Sequence, residues 1–226
     1  MKHGKKYNEN AKKFKPENPY ELKEALTLVK SMAYAKFDET VDLSVKLNLK
    51  KSQTVRDTVV LPHQFRGDKK VLVFCKPEKE KEAQDAGAAF VGADDLIEKV
   101  KGGWTDFDIA VATPDMMKDV GKLGMVLGRK GLMPNPKTGT VTFDLKGTLA
   151  ELRKGRVEFR ADKTGVLHLA VGKVSMEPEQ VAENVTVVMT EVKRKRPTDV
   201  KGEFIQTVSV SSTMGPGVWV AMKDQD

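Results

Sequence analysis

The hydrophobic spacing changes style twice along the chain, and that order constrains the fold more than any other feature. Residues 41–49, VDLSVKLNL, alternate apolar and polar, the mark of a strand with one wet face. From Val71 the style differs. Short apolar runs at 71–75, 88–91 and 108–112 alternate with helical stretches at 78–86 and 94–101. Strands buried on both faces read this way, so a parallel sheet covered by helices is expected. From Arg156 the alternating style returns, at 155–160, 166–171 and 207–211. The economical topology is a two-layer α+β domain built from both chain ends, residues 1–67 plus 158–226. An inserted three-layer α/β domain, Rossmann-like with a parallel sheet, then spans 68–157. The two crossing segments carry Gly67 and Gly155, and a hinge is expected there.

Further elements fill in the two halves. Asn18-Pro19 reads as a helix start, with apolar spacing running over 19–34. Residues 55–61 read as a strand ended by Pro62. Residues 116–127 read as one helix, followed by a Gly/Pro/Lys loop at 128–140. The turn at 162–165 joins 155–160 to 166–171 as a hairpin. A helix is expected over 177–190, then a basic loop at 193–197. The last strand, 207–211, runs into Ser212-Thr213-Met214-Gly215-Pro216-Gly217. Gly215 permits positive φ and close backbone approach, and Pro216 stiffens the turn.

Charge narrows the partner. The formal net charge is +7, which favours an anionic surface. No apolar run approaches membrane-spanning length, so no membrane role is expected. The lysine-rich start has no apolar segment behind it, so no secretory signal is expected either. Six of the first 15 residues are lysines against one acid, Glu9; this is a solvated terminus or a basic arm that touches phosphate. The single cysteine, Cys75, sits in an apolar run, which fits a reducing, cytoplasmic compartment. The three histidines lie far apart, and no metal or other cofactor is expected.

Catalysis finds little support. GLMPNPKTGT at 131–140 lacks Walker A spacing, and Pro134 and Pro136 remove backbone donors. No GxGxxG follows the strand at 71–75. Asp106, Asp108, Asp115 and Asp119 lie at strand ends and helix starts, with no nucleophile–base pair beside them. Residues 68–157 hold 16 basic and 14 acidic side chains, net +2; the remainder holds 23 and 18, net +5. That remainder also carries Lys36, Phe37 and Thr40, the Lys163-Thr164-Gly165 turn, and the hydroxyls of Thr207, Ser211 and Thr213. Hydroxyls, an aromatic, a glycine turn and lysines suit structured RNA better than duplex DNA. A nucleotide-binding enzyme and an architectural DNA binder remain as alternatives.

Several segments together carry a resemblance. KFDETVDL (36–43), VLPH (60–63), FVGADDLIEKV (90–100), GWTDFDIAVATPDMM (103–117), GLMPNPKTGTVT (131–142), GRVEFRADKTGVLHLAVGK (155–173) and STMGPG (212–217) stand in order over nearly the whole chain. The chain resembles the bacterial form of the large-subunit ribosomal protein L-one family. The resemblance implies a two-domain, non-enzymatic constituent of the large ribosomal subunit, monomeric outside the ribosome. It implies rRNA binding at the mobile stalk near the exit site, help in releasing deacylated exit-site tRNA, and repression of translation of its own mRNA. Carried over by position, the RNA surface falls on Lys36, Phe37, Thr40, Lys163, Thr164, Gly165, His168, Thr207, Thr213, Met214 and Gly215; Ser211 joins it from the strand reading and completes the twelve candidate residues. His168 enters through the resemblance alone. The sequence departs from the family pattern at 49–52, Asp57, 64–67 and Arg129-Lys130, all off that surface.

Overall fold

The computed structural model describes residues 4–15, 18–50, 53–67, 69–200 and 202–222. They form two compact units, one of residues 1–65 with 157–226 and one of residues 66–156. Lys2, His3, Lys51 and Ser52 lie outside the described residues.

Alternation builds the first unit. Strand β1 (Thr40–Leu47) buries every second residue, and Val41, Leu43, Val45 and Leu47 all point into one core. Its antiparallel neighbours are β7 (Val166–Lys173) and β8 (Ile205–Ser212), and β8 pairs in turn with β9 (Val218–Val220). The order is β7-β1-β8-β9. Helices α2 (Leu22–Met32) and α8 (Pro178–Arg194) close one face, supplying Ala25, Leu26, Val29, Val185, Val188 and Val192 to the core. Among the described residues no helix covers the other face. A separate two-stranded sheet joins β2 (Arg56–Val60) to β6 (Arg156–Arg160). Asn184 fastens α8 to its surroundings: its amide donates to the His63 and Val171 carbonyls and accepts from the His63 N–H. That arrangement satisfies a fully buried polar group.

The second unit is layered on both sides. Strand β3 (Val71–Phe74) is buried along its whole length, between parallel partners β4 (Phe90–Gly92) and β5 (Ile109–Ala112). Leu72 and Phe74 face one core with Leu96 and Val100 of α4 (Asp94–Lys101). Val71, Val73 and Cys75 face a second core with Ala83 of α3 (Pro77–Asp85) and Leu145, Leu149 and Leu152 of α7 (Leu145–Arg153). Burial pushes the Cys75 thiol up to about 11. Such a thiol is inert, as a buried strand residue should be.

Several sequence expectations need correction. The helix expected over 19–34 starts three residues later, because Tyr20 stays extended: its N–H donates to the Trp219 carbonyl, and its own carbonyl accepts from Ala221. The single helix expected at 116–127 is a chain of short pieces, with 3-10 turns at Pro114–Met116 and Gly121–Leu123 around α5 (Met117–Val120) and α6 (Gly124–Leu127). Gly121 and Gly124 break it, since glycine is a poor helix former. The hairpin expected from 155 to 171 is not one ladder: β6 pairs with β2, β7 with β1, and only the Ala161–Leu167 bridge links them. The described part of the N-terminal segment is not simply solvated. Helix α1 (Lys5–Ala11) buries Asn10, whose amide donates to the Met32 carbonyl, and Phe14 enters the core. The first two residues of the basic loop expected at 193–197 belong instead to α8, which ends at Arg194.

Candidate nucleic-acid interface

The open face of the four-stranded sheet is the place to look. Alternation fixes what it carries: Thr40, Asp42, Ser44 and Lys46 from β1, Val166, His168 and Ala170 from β7, Thr207, Ser209 and Ser211 from β8. Neighbours across the strands meet as pairs. Ser44 Oγ and His168 Nδ1 are 3.0 Å apart. The face is thus rich in hydroxyls, among which stand the His168 imidazole, Lys46 and the acid Asp42.

One end of the sheet is a lock between two loops. Glu39 is only 1% exposed. Its Oε1 accepts from the N–H groups of Tyr34 (2.9 Å) and Ala35 (2.8 Å), and Oε2 accepts from the Met214 N–H at 3.2 Å. Burial pushes this carboxyl up, but the nearby Ser212 hydroxyl and those three N–H groups outweigh it and hold it below its ordinary value. Ser212 Oγ is itself buried and falls outside strict hydrogen-bond geometry with any neighbour, although close enough to favour the charge. Thr213 completes the lock: its Oγ1 accepts from the Thr40 N–H at 2.9 Å and lies 3.3 Å from the Thr40 carbonyl, to which it donates. The Tyr34 hydroxyl donates to the Met214 carbonyl at 3.1 Å. Lys36, Phe37 (56% exposed) and Met214 (48% exposed) are therefore displayed from a rigid frame.

The other end is the turn at 162–165. Asp162 Oδ1 accepts from the N–H groups of Thr164 and Val166, each at 2.8 Å, and from the Thr164 hydroxyl. The Val166 N–H first, then the Thr164 hydroxyl, hold the Asp162 carboxyl below its ordinary value. Lys46 Nζ donates to the Thr164 carbonyl at 2.5 Å. Gly165 sits at φ +79°, and a Cβ there would come within 2.9 Å of the Leu47 carbonyl oxygen. The turn excludes a side chain on both grounds.

The acids at the rim are thus consumed internally. Asp162 and Glu39 accept from N–H groups, and Asp38 accepts from the Ser175 N–H and hydroxyl and lies 3.9 Å from Lys173 Nζ. This leaves Lys36 and Lys163 exposed beside carboxylates already spoken for. Such a surface can donate to phosphate oxygens and exchange hydrogen bonds with sugar hydroxyls.

All twelve residues expected from the sequence lie on this face or in the loops at its two ends. Two expectations about them change. Gly215 is not at positive φ; its constraint is steric, since a Cβ would meet Ser212 Oγ at 2.5 Å. The Thr213 hydroxyl is engaged with the Thr40 backbone. Sequence reasoning missed Glu39, Ser44, Lys46 and Ser209. The last three were legible from the strand alternation itself; Glu39 resembled any surface acid.

Among its described residues the second unit assembles no comparable site. Asn135 organises the GLMPNPKTGT loop: its Oδ1 accepts from the Lys137 N–H, its carbonyl from the Thr138 N–H. The loop's N–H groups at 135 and 137–140 are all spent internally, leaving no phosphate cradle there. Asp106, Asp115 and Asp119 pair with Lys70, Lys76 and Lys122, and Asp108 accepts from the Lys70 N–H. Among the described residues no cluster of three or more His, Cys, Asp or Glu could hold a metal ion, and no helix is long and apolar enough to cross a membrane.

Comparison with known proteins gives the class. A model of the ribosomal protein L1p/L10e family matches residues 29–216, most of the chain, and marks it as a ribosomal protein, a structural component rather than an enzyme. The large ribosomal subunit protein uL1 of Treponema denticola is 65% identical over 223 residues, covering 99% of each chain. The protein of the same name from Treponema pallidum is 58% identical over 226 residues, covering 100% of each, and that of Borrelia hermsii is 58% identical over 217 residues, covering 96% of this chain and 97% of its own. This chain belongs to the ribosomal protein L1p/L10e family. Its setting is accordingly the ribosome, which in bacteria is cytoplasmic.

Proposed function

We propose that the chain, as a constituent of the large ribosomal subunit, binds large-subunit rRNA through the open face of the β7-β1-β8-β9 sheet. One observation carries this reading: the twelve residues expected from sequence gather on the face that no helix covers and at its two ends. Hydroxyls and backbone meet the sugar-phosphate chain, Phe37 and Met214 offer apolar contact to splayed bases, and Lys36 and Lys163 neutralise phosphate. The unit of residues 66–156 is then an insertion in the RNA-binding domain, and the protein is a monomer outside the ribosome. Its place at the mobile stalk, release of deacylated tRNA from the exit site and repression of its own mRNA belong to the same reading, through the resemblance to the family.

The test is crosslinking of the protein in cells to total RNA, with sequencing of what is bound. Reads should concentrate in one structured region of large-subunit rRNA, in exit-site tRNA and in one site of the protein's own mRNA. Reads that merely follow RNA abundance would overturn the proposal. Replacing residues 66–156 with a Gly-Ser linker tests the insertion: the remainder should unfold cooperatively and still bind rRNA. Loss of cooperative unfolding would remove the nested arrangement.

A further inference from the structure

Strand β9 carries an aromatic that the core does not use. Val218 and Val220 are buried, so Trp219 between them points to the open face, where it is 47% exposed. Register places it in a line. Trp219 is opposite Ser209, Ser209 opposite Ser44, and Ser44 opposite His168. One row of side chains therefore crosses all four strands, with a flat ring at each end and two hydroxyls between. At the usual strand spacing the row is roughly 14 Å long.

The ring stands on a fixed backbone. On one side β9 pairs with β8; on the other the Trp219 carbonyl accepts from the Tyr20 N–H at 2.9 Å. Its neighbours on the face are polar: Ser209 directly opposite, Thr207 and Ser211 on the diagonals. An aromatic anchor in a protein–protein contact sits in a patch whose core is apolar. A lone indole among hydroxyls instead fits a nucleobase, which stacks on the ring while its sugar and phosphate meet the hydroxyls. The residue lies beyond the 29–216 region that the family model matches.

We propose that Trp219 is a stacking platform for an unpaired RNA base, extending the candidate interface across β9 to the edge of the sheet. The inference rests on the RNA-binding reading above.

The chain has two tryptophans, so Trp104→Phe leaves Trp219 as the sole indole. Trp104 packs against Phe90 and Phe107 in the second unit, where another aromatic is well tolerated. In that background, titration with in vitro transcribed large-subunit rRNA should quench the Trp219 emission. Trp219→Ala should weaken rRNA binding about 5- to 100-fold, and Trp219→Phe should recover most of that loss. The slope of log K against log salt should not change, because no charge is lost. Thermal unfolding followed by circular dichroism checks that each variant is folded. Unquenched emission in a bound complex, or rRNA binding by both Trp219 variants within twofold of the parent, would overturn the stacking role and leave a protein contact as the use of this ring. Failure of the parent itself to bind rRNA would instead overturn the reading of the whole face, and the stacking role with it.

Discussion

The two sheets of this protein differ in how many of their faces are covered, and the difference separates folding from recognition. Strand β3 is buried along both faces, so Leu72 and Phe74 serve one core and Val71 and Val73 another. Strand β1 is buried on alternate residues, so half of its side chains hold the unit together and half stay on the partly exposed face. A substitution in β3 therefore acts on stability whichever way it points. In β1 its effect depends on parity.

The largest expected effect tests the doubly covered sheet. Phe74 is fully buried, and Phe74→Ala should destabilise the second unit by about 3–5 kcal/mol, read by denaturant unfolding. Binding to rRNA should survive in whatever fraction of the first unit remains folded. Ser44→Ala on the open face should do the reverse, changing stability by less than about 1 kcal/mol while weakening rRNA binding. Equal losses of binding in the two variants would erase the distinction.

Next comes the lock at the sheet end. Thr213→Val keeps a β-branched shape but strips the partner from the Thr40 N–H, a loss of roughly 1–3 kcal/mol. Affinity for rRNA should fall about tenfold or more, with an unchanged salt slope. Normal binding by this variant would mean that the lock does not present the interface.

Glu39→Gln sharpens the same point through pH. The amide cannot accept from all three N–H groups without turning a donor toward one of them, so about 1–3 kcal/mol of stability should be lost near neutrality. The Glu39 pKa is lowered in the fold, so its contribution is present above the unfolded-state value and fades as pH falls through the folded one. Parent and variant should accordingly converge in stability below the ordinary carboxylate range, as followed by thermal melts across pH. A gap that stays constant into acid would contradict the role of the charge.

The smallest effects belong to the exposed lysines. Lys36→Ala and Lys163→Ala should each reduce the salt slope of rRNA binding by about one unit or less, with stability unchanged. A slope equal to the parent's would remove that lysine from the phosphate contacts.

Legibility in the sequence followed the range of the interaction. Alternation over 41–47 and 207–211 identified the strands and the side of each that stays wet, and the apolar run at 71–75 identified a strand covered twice. Pairing was not legible, because the alternation of β6 would suit β2 or β7 equally; the structure pairs it with β2. Helix α7 was missed although Asp144 caps it and Leu145, Leu149 and Leu152 repeat at helical spacing; Gly147 inside the segment disguised it, and its N–H is the group that Asp144 captures. Three-residue β9 is too short for any period. Glu39 was illegible for a different reason. Its N–H partners come from residues 34, 35 and 214, and only the finished sheet end makes that acid unlike its neighbours.

The pairing of β1 also orders events in time. Its partners run from Val166 to Lys173 and from Ile205 to Ser212, more than a hundred residues downstream. During synthesis β1 emerges with neither neighbour yet made and waits on the order of ten seconds for both. The stretch from Arg66 to Arg156 is complete before either arrives and can collapse on its own local contacts. An alternating strand with a polar side tolerates that wait better than an apolar one would, since fewer exposed side chains invite association with other nascent chains. The polar side of β1, with Thr40, Asp42, Ser44 and Lys46, thus lowers the tendency of the young polypeptide to associate before the sheet is complete.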